Sequence, residues 1–298
     1  MPMSEPVGNG EVARPEAAPG DAPSPEDTAA PAPDPEAAAR PSRLDLLPSP
    51  LFVLLLGVTG IAGWMSWTQA EVRWTGDDSI AYAPLVLIVG GWIVSLAVHE
   101  YAHALVAYRS GDRALLGSGY LRLNPAAFRE LFANLVLPVV FLLLGRFGLT
   151  GPTVYLDRDA VPSRARRSLA ALAGPVASLL LAAVLGVVTS VLVPQDAVTD
   201  NWALGGIMFL CFLNATTGLL NLLPLPGLDG FAAVAPYLPR RFARQSHTTG
   251  LFGVIAVFAV LWLPPVRPYL NDVMYALFTL VGLPQLDIGH GSFMLQLW

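Results

Sequence analysis

The sequence predicts an all-α polytopic membrane protein with about six transmembrane helices, a re-entrant segment and a small strand or hairpin near a candidate metal site. Of its 298 residues, 54% are hydrophobic and only 13% are charged. The mean hydropathy is +0.56. Apolar runs long enough to cross a bilayer recur along the chain, and a helical span needs about 20 apolar residues.

The first 47 residues differ in composition from the rest of the chain. They hold ten Pro, nine acidic residues and three Arg, a net charge of −6, whereas the remainder carries +1. A segment with so few apolar side chains cannot bury a core. We therefore predict a disordered cytosolic tail at 1–47, dispensable for the chemistry, a membrane domain at 48–284 and a C-terminal tail at 285–298.

The apolar segments of the membrane domain differ in length. Residues 131–144 form a run of only about fourteen residues, broken by Pro138, which favours a re-entrant or tilted segment over a full span. Residues 115–123, followed by an Asn-Pro turn, have the pattern of a short strand or hairpin. The six predicted spans are 51–67, 82–108, 168–193, 202–223, 251–263 and 269–283.

The distribution of Arg predicts the topology. Basic residues concentrate in four segments, whereas the loops 70–80 and 194–202 are acidic. By the positive-inside rule, the basic segments face the cytosol. This requires that residues 131–144 enter and leave the bilayer on the same side. The basic segments are 40–43, 109–129, 146–167 and 240–244.

A metal-binding pattern lies within the second span. His99, Glu100 and His103 form H-E-x-x-H inside a run of Leu, Val and Ala. On a helix the two His share a face one turn apart, so both imidazoles can reach one Zn²⁺. Glu100 can take a proton from an activated water. Ionisable groups at this depth in a bilayer are costly, which favours function over a chance match.

Two His do not complete a zinc site, and Asp229 is the best candidate for the third ligand. It follows a segment broken by Pro224 and Pro226, at the cytosolic end of a span and at about the depth of the His pair. Unwound backbone there is tolerated where it lines a wet cavity, and a carboxylate is an ordinary zinc ligand. The alternative is a helix-terminal Asp in a turn before Gly230.

The other polar groups of the spans have simpler interpretations. Asn221 could donate its amide to a developing oxyanion, or could bond a neighbouring helix. Asn214, two turns earlier, is predicted to be structural. Cys211 lies alone in an apolar run, which excludes a disulfide framework. His247 and His290 are predicted to face solvent.

Taken together, these motifs resemble the site-2 proteases, which are intramembrane zinc metalloproteases. The resemblance rests on H-E-x-x-H at His99, on the run from Asn221 to Asp229-Gly230, and on Ala173-Gly174-Pro175. It covers about residues 50–283 and is similar to the compact bacterial branch without a PDZ domain.

That resemblance implies a zinc ion held by His99, His103 and Asp229. It implies Glu100 as general base and later proton donor, and a catalytic role for Asn221 near the scissile peptide. The implied substrate is a single-span membrane protein, for example a membrane anti-sigma factor, cut within the lipid bilayer of a bacterial plasma membrane.

One departure and two alternatives accompany this interpretation. The acidic Asp-Pro motif of that branch is absent from residues 124–130, which bears on substrate handling. A membrane zinc or ion transporter would also bury His and Asp, but the chain shows no internal repeat. A non-catalytic pseudoprotease would not need Glu100. Nothing in the composition suggests nucleic-acid binding.

Overall fold

The computed structural model describes residues 47–68, 82–152, 160–193, 199–239, 247–280 and 285–295. The predicted tail up to residue 46 and the loops 70–80 and 240–244 lie outside the described residues. The α-helices found there are α1 (Pro50–Thr68), α2 (Ala83–Arg109), α3 (Leu137–Gly145), α4 (Arg164–Leu192), α5 (Trp202–Asn221), α6 (Asp229–Val234), α7 (His247–Trp262), α8 (Arg267–Leu280) and α9 (Gln285–Phe293).

Four of the described helices, α1, α2, α4 and α5, are long and apolar enough to cross a membrane. Helices α7 and α8 qualify only as a pair, and the pair is bent by 87°. Pro264 and Pro265 cause this break, because proline cannot continue a helical hydrogen-bond ladder. The described residues therefore carry four candidate spans, or five if the bent pair is one span, and the predicted six are not confirmed.

The segment predicted to be re-entrant is a short apolar helix, Phe132–Gly145. Its first turn, Phe132–Val136, is π-helical and runs directly into α3. It ends at Arg146, whose left-handed backbone (φ 58°) terminates α3. That this segment enters and leaves the membrane on the same side stays a prediction.

The strand or hairpin predicted at 115–123 is not formed, and this stretch is a chain of tight turns. Its 3₁₀ turn Tyr120–Arg122 is flanked by Gly119 (φ 85°) and Leu123 (φ 54°), both left-handed. Gly117 (φ 77°) is a third residue with left-handed backbone. Glycine adopts this region readily, so the Gly-rich spacing favours turns and overrides the β-propensity of the intervening apolar residues.

Helix α5 forms the centre of the membrane domain. In its apolar window 89% of residues are buried, against 22% for α1 and 28% for α4. Small residues allow neighbouring helices to approach closely: a Cβ at Gly218 would lie 2.5 Å from Leu179 Cγ of α4, and one at Gly91 of α2 would lie 2.5 Å from Leu210 Cδ1. Such close contacts replace hydrophobic burial as the source of association between helices in a membrane.

The predicted C-terminal tail includes α9, which packs on the first half of α5. Gly291 lies so close that a Cβ there would be 2.2 Å from the Gly205 carbonyl oxygen and 2.5 Å from Phe209 Cβ. Ile288 and Leu295 join the main hydrophobic core. This part of the chain is therefore a component of the helical core.

Candidate metal centre

The two imidazoles of α2 converge on one point. His99 and His103 are one helical turn apart, and their Nε2 atoms are 3.1 Å from each other. His99 is buried, with 1% of its surface exposed, and His103 is half-buried. The predicted spacing thus places both ring nitrogens on the same side of the helix.

Asp229 brings its carboxylate to the same point from the start of α6. Its Oδ2 lies 3.1 Å from His99 Nε2, and its Oδ1 lies 3.4 Å from His103 Nε2. One candidate ligand atom from each of the three residues lies within 4.8 Å of the others. The structure therefore brings together the three predicted ligands, although they come from helices far apart in sequence.

The other ring nitrogens are held by α4. His103 Nδ1 donates a hydrogen bond to the Ala170 carbonyl oxygen at 2.7 Å, since a carbonyl can only accept. In neutral His103 the other ring nitrogen, Nε2, then carries a lone pair and can accept. His99 Nδ1 is bonded to Ser178 Oγ at 2.9 Å. Such outer partners fix the orientation of a metal-binding imidazole.

The arrangement can hold a cation. The two Nε2 atoms and the Asp229 carboxylate converge at 3.1–3.4 Å, and an imidazole lone pair or a carboxylate oxygen at this point can bind a metal ion. Two His and one Asp form a ligand set typical of a hydrolytic zinc ion with an open fourth position.

A metal-sized space is created by a missing side chain on α4. A Cβ at Gly174 would lie 2.1 Å from His103 Nε2 and 2.6 Å from His99 Nε2. Because zinc binds His nitrogen at about 2.0–2.1 Å, that Cβ would compete for the volume of the ion. The glycine between Ala173 and Pro175 therefore leaves the space that this donor set needs for a zinc ion.

The Asp229 carboxylate is positioned by a tight loop. Residues 222–226 are exposed, and Gly227 reverses the chain with φ 95°. Helix α7 packs directly on this turn, because a Cβ at Gly253 would lie 1.9 Å from the Pro226 carbonyl oxygen. A Cβ at Gly230 would likewise lie 2.3 Å from the Leu222 carbonyl oxygen and 2.5 Å from the Leu223 carbonyl oxygen. The broken helix end thus holds the carboxylate in one place.

The structure places the remaining predicted site residues differently. Glu100 is half-buried and follows His99 on α2. Asn221 is fully buried; its amide donates to the Thr217 carbonyl oxygen at 3.0 Å, and its Oδ1 accepts from Thr150 at 3.1 Å. Among the described residues these hydrogen bonds lead to Thr150 and Thr217 and not to the three ligands, so its catalytic role stays a prediction.

Other groups singled out by the sequence have structural partners or lie outside the described side chains. Asn214 donates to Ser95 Oγ at 3.0 Å and to the Leu210 carbonyl oxygen at 2.8 Å, so it links α5 to α2. Cys211 donates to the Ala182 carbonyl oxygen at 3.1 Å. The side chains of His247 and His290 lie outside the described part of the chain.

Sequence reasoning missed Ser178 and the Ala170 carbonyl. The available signal was helical spacing: residues 170, 174 and 178 share a face of α4, and Gly174 belongs to the Ala173-Gly174-Pro175 run on which the resemblance rests. A backbone carbonyl carries no sequence signal of its own.

Curated proteins that carry the name of a zinc metalloprotease are similar to this chain over most of its length. Rip2 of Mycobacterium tuberculosis is 37% identical over 258 residues, 86% of this chain and 96% of Rip2. Rip2 of Mycolicibacterium smegmatis is 35% identical over 261 residues, 87% of this chain and 97% of that protein. YwhC of Bacillus subtilis is 32% identical over 200 residues, 64% of this chain and 88% of YwhC. No family model and no solved structure matches the chain.

Proposed function

This chain belongs to the site-2 protease family, and on that premise we propose that it is a zinc-dependent intramembrane endopeptidase. Its substrate is a transmembrane segment of another membrane protein. The observation that carries the proposal is the convergence of His99, His103 and Asp229 within 4.8 Å, with both His on a helix of membrane-span length.

The chemistry divides between the ion and the chain. When bound, zinc supplies a Lewis acid that polarises a carbonyl and makes water a better nucleophile near neutral pH. His99, His103 and Asp229 hold it, and Ser178 and the Ala170 carbonyl orient the rings. Glu100 receives the proton of the attacking water and delivers it to the leaving amine.

The substrate must be unwound before it can be cut, because the peptide bonds of a helix are shielded by their own hydrogen bonds. We therefore expect helix-breaking Gly, Pro or Asn near the cleaved bond. Water and substrate enter through the exposed loop 222–226, next to the ligand loop, together with the turns at 109–130. If the Asn221 amide turns from the Thr217 carbonyl towards the substrate, it donates a hydrogen bond to the oxyanion that develops during cleavage.

In this proposal the protein is an integral, multi-pass protein of a bacterial plasma membrane with its N-terminal tail in the cytosol. Its partner is a single-span membrane protein, such as a membrane anti-sigma factor. The basic ends of α2 and α4, with Arg109 and Arg164, support a cytosolic position for this side of the domain.

The deciding experiment compares the wild type with Glu100→Gln on single-span candidate substrates in proteoliposomes. We expect the wild type to cut within the span and Glu100→Gln to retain metal but lose cleavage. Cleavage of unfolded soluble peptides without cleavage of any membrane helix would contradict an intramembrane endopeptidase.

Zinc analysis separates this proposal from transport. We expect about one zinc per chain, and chelation should abolish cleavage, with recovery on zinc addition. Zinc flux into proteoliposomes that survives Glu100→Gln would favour a transporter instead.

A further inference from the structure

Helix α4 has two faces with different surroundings. One face carries Ala170, Gly174 and Ser178, which contact the two imidazoles. The other carries large exposed apolar side chains, including Leu180 with 62% of its surface exposed. Leu169 and Val176 belong to this exposed face. One side of α4 therefore faces the metal centre, and the other is typical of a lipid-facing surface.

Arg167 lies on the metal-facing side. It precedes Gly174 by seven residues, which is two turns with an offset of about 20° in an ideal helix. The rise between them is about 10 Å. Arg166, one residue earlier, points about 100° away from it and is exposed. Among the arginines that begin α4, Arg167 is thus the one in line with the metal centre.

The Nε atom of Arg167 lacks a protein partner within the described residues. It is buried and has no hydrogen bond there, although the residue as a whole is half-buried. A buried N–H donor is normally paired, because leaving it unmet is costly. The position of Arg167 in the first turn also opposes the helix dipole, so local structure does not explain the charge.

We propose that Arg167 binds an acidic side chain of the substrate and thereby sets where the substrate is cut. The inference rests on the proposed function. The rise of about 10 Å between the two backbone positions corresponds to about three residues of extended peptide at roughly 3.3 Å each, and the Arg167 side chain, which a helix directs towards its N-terminus, lengthens this span. The acidic residue is therefore at least three residues from the cleaved bond, on the side that leads to the N-terminal end of α4. Arg forms two parallel hydrogen bonds to a carboxylate, which gives both affinity and register.

A peptide carboxylate fits this position better than a lipid phosphate. A lipid would approach α4 from the apolar face, with its head group near the N-terminal end of the helix, and Arg166 is exposed nearer to that face. Arg167 lies in line with Gly174 and Ala170 instead, between the metal centre and the predicted cytosolic entrance. An extended substrate that reaches the ligands from this end passes Arg167.

The test uses a set of single-span peptides with one central Gly-Pro break and a single Asp placed at successive positions. Zinc-loaded full-length protein is mixed with each peptide in zwitterionic proteoliposomes, and mass spectrometry maps the cut. For the wild type we expect the cut to follow the Asp at one fixed spacing of three or more residues, within one residue. The preferred position should be cleaved about tenfold faster than a peptide with Asn there.

Charge reversal distinguishes recognition from folding. Arg167→Glu should lose the preference for Asp and prefer Arg at the same position, whereas Arg166→Glu should behave as the wild type. If Arg167→Glu does not fold, Arg167→Gln replaces it, and its zinc content shows whether the metal centre is intact. It should cut Asp and Asn peptides equally.

Three results would overturn the inference. The first is a cut position that ignores the Asp, and the second is an equal shift in Arg166→Glu. The third is a requirement for anionic lipid in place of the Asp, which would assign Arg167 to head groups. Failure of the zinc-loaded wild type to cut any peptide would contradict the proposed function as well, and is distinguishable because no cut is then mapped.

Discussion

Two groups of polar side chains lie among the described helices, and they differ in how their atoms are arranged. At the metal centre, His99, His103 and Asp229 bring two ring nitrogens and a carboxylate to one point. In the α5 polar cluster, which we define as Asn214, Thr216 and Asn221, separate hydrogen bonds join α5 to other parts of the chain, and Asn214 Oδ1 has no partner within the described residues. The bonds of this cluster are Asn214 Nδ2 to Ser95 Oγ, Gly148 N to Thr216 Oγ1, and Thr150 Oγ1 to Asn221 Oδ1, at 2.9–3.1 Å.

The comparison teaches that the partners of a buried polar group indicate its role better than its burial does. Asp229 and Asn214 are both almost fully buried. The first shares one point with two imidazole nitrogens and can hold a metal ion with them, whereas the amide nitrogen of the second donates to Ser95 and so links α5 to α2. Substitutions in the metal centre should therefore change metal content, and those in the α5 polar cluster should change stability.

The largest effect on zinc content is expected for Asp229→Ala, with Glu100→Gln as the variant that keeps its zinc. Removing the carboxylate leaves two ligands, so zinc content should fall from about one per chain to near zero, and cleavage with it. Glu100→Gln should keep the zinc and lose about 10²–10⁴-fold in cleavage rate. Elemental analysis and cleavage assays of both purified variants decide it. Unchanged zinc in Asp229→Ala would refute the ligand assignment.

Gly174→Ala should come next in size. Its Cβ would occupy the space 2.1 Å from His103 Nε2, so zinc should be lost or held far below one per chain while the helix still forms. Gly60→Ala in α1 is the matched control, since a Cβ there meets no atom within 4 Å. Full zinc binding in Gly174→Ala would show that the ion lies elsewhere.

Ser178→Ala should weaken the metal centre without destroying it. Loss of the hydroxyl partner of His99 Nδ1 frees the ring, and outer partners of this kind change metal affinity by about 10–100-fold. Competition with a chelator measures the change. Ser190→Ala, at an exposed position of the same helix, should leave the affinity unchanged. Equal affinities in the two variants would show that Ser178 has no orienting role.

The smallest effect is expected in the α5 polar cluster. Asn214→Ala removes the bond to Ser95 and should lower the free energy of unfolding by about 1 kcal/mol, with zinc content unchanged. Thermal denaturation in detergent, followed by zinc analysis, measures both quantities. Loss of zinc in this variant would mean that the two groups act as one unit.

The long helices could be predicted from sequence because a bilayer imposes length and hydropathy. The predicted spans 51–67 and 82–108 correspond to α1 at Pro50–Thr68 and α2 at Ala83–Arg109. The start of α4 was placed four residues late, since its first turn is basic and capped by Ser163. The candidate ligands His99 and His103 followed from their one-turn spacing, and Asp229 followed from its position after a Pro-broken helix end.

The remaining features depend on tertiary contacts that leave little trace in the sequence. The packing of α9 on α5, for example, is seen only in the close approach of Gly291 to Gly205 and Phe209. The turns at 115–123 were misjudged because the apolar residues there suggested a strand, whereas the glycines decide the backbone. The role of Asn221, the topology and the tail stay predictions.

The separation of the ligands along the chain has a consequence for biogenesis. Asp229 is 130 residues beyond His99, and the turn that holds it is buttressed by Gly253 of α7. A nascent chain that has inserted α2 alone presents two imidazoles but no third ligand. The ion therefore cannot be fully coordinated until most of the protein has left the ribosome. A zinc metalloprotease built this way cannot complete its metal site, and so cannot act on neighbouring proteins, while only the first half of the chain has been made.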